Sequence, residues 1–137
     1  MELTVRSLGR DRHLISVRGH NLVVDQPLRD GGEDAGPTPT DLFVASLASC
    51  VAHYARRALG REGGGATVHC TWTMSQEPPW RVSAIEITVE LPRATSEARL
   101  AAVRRAIGHC TVHNSIVSPP RMVITAAVSR LAADAAA

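Results

Sequence analysis

The sequence predicts an α+β fold with a mostly antiparallel sheet and two core helices. Three observations carry this. Short runs near both ends alternate apolar and polar residues, the period of a half-buried strand. Two longer stretches place apolar residues at spacings of three and four, the period of a helix facing a core. Segments rich in Gly, Pro and Asp separate these runs. With 137 residues, the chain is expected to form a single domain over 1–137.

The first three elements read as a strand meander. "ELTVRSL" alternates, with Leu3 and Val5 on one face. "HLISV" and "NLVV" are β-branched and apolar, and "GRDR" and "RGH" punctuate them as turns. "DQPLRDGGEDAGP" then reads as a loop. The first helix opens on a start signal: Thr38 as N-cap, Pro39 at the first helical position and Asp41 three residues after the cap. Its pattern runs to about Leu59, and "GREGGG" ends it. "ATVHCTWTMS" sets Val68, Cys70, Trp72 and Met74 against polar neighbours, a strand. "EPPW" turns the chain, and "VSAIEITVEL" is the next strand, with a change of face near its start. "TSEARLAAVRRAIGHC" carries Leu100, Val103, Ile107 and Cys110 as a core-facing helical stripe. "TVHNSI" continues it or forms a separate short helix after Gly108. "RMVITAAVSRL" reads as a last strand, and residues 131–137 as a frayed tail. The expected order is βββ-α-ββ-α(α)-β.

Composition excludes several function classes. Apolar residues make up 45% and charged residues 20%, an ordinary globular balance. Phe, Trp and Tyr total four, so Val, Leu, Ile and Ala must build the core. All fifteen basic residues are Arg, and they are spread along the chain without interleaved aromatics. Nucleic acid is therefore not an expected partner. No run of about 18 apolar residues exists, so no membrane span is expected. "MELTVRSL" lacks an apolar leader core, and a cytoplasmic location is expected. In that compartment paired thiols are more often redox-active than structural.

The three cysteines, Cys50, Cys70 and Cys110, are therefore the chemistry to explain. Cys50 and Cys110 lie on core-facing helical stripes, where their sulfurs meet if the helices pack together. Two buried small hydrophobes are the other reading. Cys70 belongs to the alternating strand and reads as core. Cys50-x-x-His53 and Cys110-x-x-His113 share a spacing that puts each pair on one helix face. If the cysteines meet, the four groups are a set that zinc accepts. The competing readings leave His53 outward and His113 at a turn, or use either ring to tune a thiol. No metal is expected at the site as the leading reading. Phe43, Leu47 and Tyr54 lie at −7, −3 and +4 from Cys50 and share its helix side. They line a greasy substrate pocket or simply pack the helices together.

"GPTPTDLFVASLASC", "HCTVHNSI" and "HNLVVDQP" resemble the signatures of the OsmC/Ohr superfamily, and the resemblance spans about Leu3 to Val128. It implies the OsmC-like fold and an intertwined homodimer. It also implies a Cys-based peroxidase that reduces organic hydroperoxides in oxidative stress defence. Cys50 would be the peroxidatic thiolate and Cys110 the resolving thiol. No cofactor is implied beyond an external dithiol reductant such as dihydrolipoamide. The family's peroxidases also use an arginine of the first β-turn, held by a glutamate on the first helix. The turn offers Arg10 and, next to it, Arg12, and "GRD" favours Arg10. The glutamate position, ten residues before Cys50, holds Thr40. Asp41 lies about 180° from Cys50 around the helix, so capping is its expected task. This departure keeps open a second reading: a non-peroxidase OsmC-fold protein with a stress-associated or ligand-binding role.

Overall fold

The structure is a computed structural model that describes residues 1–60 and 65–128. Strands β1 (Thr4–Gly9), β2 (Arg12–Val17) and β3 (His20–Val24) form an antiparallel meander. Its second turn places Arg18 at φ 50° and Gly19 at φ 81°. Two consecutive positive φ angles give the mirror-image turn that matches strand twist. After a single turn of 3₁₀ helix at Leu28–Asp30, helix α1 runs over Pro39–Leu59. Strands β4 (Thr67–Met74) and β5 (Val82–Glu90) form a second antiparallel pair, and helices α2 (Glu97–Ile107) and α3 (Thr111–Val117) follow.

The start of α1 is the expected capping box. The Thr38 hydroxyl accepts from the Asp41 amide at 3.1 Å, and the Asp41 carboxylate accepts from the Thr38 amide at 2.9 Å. Val44, Leu47, Val51, Ala55 and Leu59 are the buried residues of α1, a stripe at spacings of three and four. It packs on α2 through fully buried Ala55 and nearly buried Val103, where alanine lets the helices approach closely. Nearer the middle of α1, Leu47 and Val51 meet Cys110, and the half-buried Val68, Ile85, Ile87 and Val89 of β4 and β5 close the cluster. The change of face expected in β5 has a local cause. The ladder slips by a bulge between Thr73 and Met74, so Val82 and Ile85 both turn inward.

Two expectations are corrected. Of the strand expected over residues 121–131, the described part, 121–128, does not form: it has no strand partner among the described residues, and Met122, Val123, Ile124 and Val128 are exposed. A strand needs a ladder to bond to, and the folded part of the chain offers this segment none. The remainder of that strand and the tail at 131–137 lie outside the described residues. Cys110, read as the end of the second helical stripe, lies beyond it. Gly108 closes α2, and Cys110 begins α3 as its N-cap. "TVHNSI" is thus a separate helix.

Candidate thiol site

Cys50 sits in the middle of α1, half-buried and packed against the cluster of Leu47, Val51 and Cys110. Cys110 is fully buried. Its sulfur accepts from the His113 amide at 3.4 Å, so the cysteine itself caps α3. The break at Gly108 is what makes this possible: it turns the chain so that a cap residue, not a mid-helix residue, faces α1.

The two thiols are unequal. Burial alone raises the pKa of Cys50, but a hydrogen bond from the Cys110 thiol and the amides of Val112 and Thr111 outweigh it, so the net direction is down. Cys110 goes the other way. Burial, its hydrogen bond to Cys50 and the charge on Cys50 raise it, and the His113 and Val112 amides offset only part of this. Of the two, Cys50 is therefore the thiol that gives up its proton more readily. Cys70, on β4, is raised by burial alone and has no such partner.

The other expected site residues divide. Leu47 is buried, packs near Cys50 and Cys110, and lines two apolar cavities of about 300 Å³, neither of which has a cysteine in its wall. One is enclosed by Val51, Ile85, Ile87 and Ile107, the other by Phe43, Ile85, Ile116 and Val117. Phe43 is a wall of the second cavity. Tyr54 lines neither and packs on the helix core instead. His113 touches both cavities with an exposed side chain, and its role toward Cys110 runs through its backbone amide. His53 is exposed and stacks edge-on against Tyr54, ring centroids 5.5 Å apart. No group of three His, Cys, Asp or Glu side chains gathers into a metal site among the described residues, so the Cys₂His₂ set does not assemble. Neither imidazole acts on the thiols. The groups that bond the two sulfurs are backbone amides of Thr111, Val112 and His113.

Thr40 is half-buried in the first turn of α1 and lines a separate cavity with Phe43, Met74 and Trp80. It does not act on Cys50. Arg10 and Arg12 remain on the meander, and neither acts on Cys50 within the chain. Both are held by one residue that the sequence reading passed over. Arg10 Nη1 lies 3.1 Å from Glu33 Oε1, and Arg12 Nη1 lies 3.0 Å from Glu33 Oε2. Glu33 belongs to the loop after β3, which Asp25 organises. Asp25 is 1% exposed, and its carboxylate accepts from the amides of Gln26, Glu33 and Ala35 at 2.8 to 3.1 Å. Burial works against its charge, but those amides and Arg12 hold its pKa down. The sequence signal was an aspartate closing an apolar strand just before a glycine-rich loop, which invites carboxylate-to-amide bonds.

A larger concavity of about 580 Å³ lies at the β4–β5 turn. It is lined by polar side chains such as Gln76, Glu77 and Arg81 and holds no cysteine.

Residues 31–125, which include both cysteines and the cavity walls, match the family model described as OsmC-like protein. The chain belongs to the OsmC-like protein family. The OsmC fold recurs among solved structures. A proposed osmotic stress induced and detoxification response protein from Psychrobacter arcticus superposes with a TM-score of 0.72 at 24% identity, over 82% of this chain and 85% of that one. An OsmC-like protein from Mycoplasma pneumoniae gives 0.71 at 16% identity, over 86% and 87%. An organic hydroperoxide resistance protein from Legionella pneumophila gives 0.64 at 16% identity, over 85% and 89%. No curated protein matches the chain by sequence.

Proposed function

We propose that this OsmC-family chain is a thiol-dependent peroxidase that reduces organic hydroperoxides. The observation that carries the reading is the unequal pair: a Cys50 thiol shifted down, hydrogen-bonded by a Cys110 thiol shifted up. The Cys50 thiolate attacks the distal oxygen of ROOH. The O–O bond breaks, the alkoxide takes a proton and leaves as ROH, and Cys50 becomes a sulfenic acid. Cys110 then attacks the Cys50 sulfur, forming a disulfide and releasing water. An external dithiol, dihydrolipoamide-like, restores both thiols by exchange and leaves as its own disulfide. The apolar walls built by Leu47, Ile85 and Phe43 favour an organic R group over hydrogen peroxide. Several structural relatives are organic hydroperoxide resistance proteins, which supports a place in antioxidant defence, in the reducing cytoplasm.

The working form in this reading is a homodimer. Leu3, Val5, Leu8 and Leu22 of the meander and Met122 to Ile124 expose apolar surface that a second copy would cover. The test of function is peroxide loss from cumene hydroperoxide with a dithiol. Wild type should turn over and Cys50→Ser should remain at background. Equal rates would defeat the reading. They would favour a non-peroxidase role for the fold, the alternative that Thr40 and the distant arginines keep in view.

A further inference from the structure

We propose that Gly108 is a specificity-determining residue: its missing side chain keeps open the mouth of the apolar cavity beside Val51 and Ile107, which takes a compact aryl or branched alkyl group. The inference rests on the peroxidase reading for the name of the ligand, the R group of an organic hydroperoxide, but the cavity stands without it. Leu47 and Val51 of α1, Ile85, Ile87 and Val89 of β5 and Ile107 of α2 wall about 300 Å³ with apolar side chains. All six are buried or half-buried. The other two wall residues, Gly108 and His113, are the exposed ones, so the cavity opens between them. Cys110 lies between the same two residues in the chain and packs with Leu47 and Val51. Cavity and thiol pair therefore share those two side chains.

The backbone does not ask for glycine at this position. A φ of −59° and a ψ of −17° are ordinary right-handed helical values, open to any residue. The chain turns extended only at Cys110, where ψ is 114°. A Cβ on Gly108 would have one near neighbour, the Arg105 carbonyl oxygen at 3.2 Å, and otherwise open space. Alanine holds such a backbone with less chain entropy to lose on folding, so local stability does not account for the glycine. The rim around it is fixed. The Cys110 amide donates to the Ile107 carbonyl at 2.9 Å, and Asn114 Nδ2 donates to the Gly108 carbonyl at 3.4 Å. The opening is thus formed before any ligand arrives. An aliphatic-lined cavity of about 150 Å³ holds benzene. Twice that volume takes a ring with a branched substituent, the shape of a cumyl group, and a side chain at position 108 would stand in its entrance.

The test measures binding without chemistry. The probe is 2-phenylpropan-2-ol, the alcohol that cumene hydroperoxide leaves, titrated into the full-length protein and followed by NMR at the isoleucine methyl groups. tert-Butanol is the small control. Gly108→Ala, Gly108→Val and the Gly108→Val/Ile87→Ala pair are compared with wild type. Wild type should bind the aryl alcohol saturably, with shifts at Ile85, Ile87 and Ile107. G108V should weaken that binding about tenfold or more, the effect of a methylene-sized change in an apolar pocket, and should weaken tert-butanol less. G108A should fall between, and Ile87→Ala should return part of what valine removes. The ratio of kcat/KM for cumene hydroperoxide over tert-butyl hydroperoxide should fall in the same order. The size series also separates the cavity from a helix stop: alanine, the stronger helix former, does more harm than valine if the glycine serves only to end α2. Absence of saturable binding to wild type overturns the proposal, as does G108V binding like wild type, alanine weakening binding more than valine, or no recovery with Ile87→Ala. Alcohol binding in the expected order by a wild type that consumes no peroxide sinks the peroxidase reading and leaves the role of Gly108 standing.

Discussion

The thiol half of the chain and the arginine half are built differently. Around Cys50 and Cys110, three helices and a strand pair bury an apolar stripe, and the two thiols meet there. The β1–β3 meander has only Val24 and Asp25 fully buried, both at its end, and makes no extensive packing with the helices or with β4–β5. Its arginines are fixed locally by Glu33. The comparison teaches that the two thiols are matched by the packing of three helices and a strand pair, whereas the arginines are held by a loop outside that core.

The largest expected effect lies in the thiol half. Cys50→Ser should reduce peroxide turnover to background. In the wild type the rate of Cys50 modification should rise with pH and level off below the ordinary thiol range, because the thiolate reacts and its pKa is shifted down. Cys110, shifted up, should gain reactivity only at higher pH. A profile with the two reversed would undo the assignment of roles.

Stability should divide along the same line. Leu47→Ala removes a side chain only 6% exposed and should cost about 2 kcal/mol or more in urea unfolding, at any protein concentration. Leu22, 41% exposed on the meander, should cost under about 1 kcal/mol when truncated in the isolated chain. In a dimer its loss should appear as a greater sensitivity to dilution, read by light scattering across concentrations. Equal, concentration-independent costs would erase the distinction between the halves. The smallest effect is expected at the join between them. Thr38→Ala breaks the capping box and should lower stability by about 1 kcal/mol, with the thiol rates unchanged.

Much of this was legible in the sequence, for physical reasons that differ by residue. Thr38, Pro39 and Asp41 specify a helix start through contacts within four residues, so local reading suffices. The α1 stripe follows from periodicity alone. Cys110 was harder, because a stripe at spacings of three and four continues through a helix break that Gly108 imposes, and only the backbone shows the cysteine as a cap. The amides of Thr111 and Val112 that lower Cys50 have no side-chain signature at all. Glu33 was hidden because its partners, Arg10 and Arg12, come from a distant turn, and its own segment reads as loop punctuation. The strand expected after residue 120 carries a correct pattern, but alternation states that a segment suits a sheet, not that its own chain supplies one.

Intact and peptide mass after one equivalent of cumene hydroperoxide tests the central claim most directly. The account predicts a Cys50–Cys110 disulfide within one chain, with Cys70 still a free thiol. Cys50 accumulating as sulfinic acid, or a disulfide through Cys70, would contradict it.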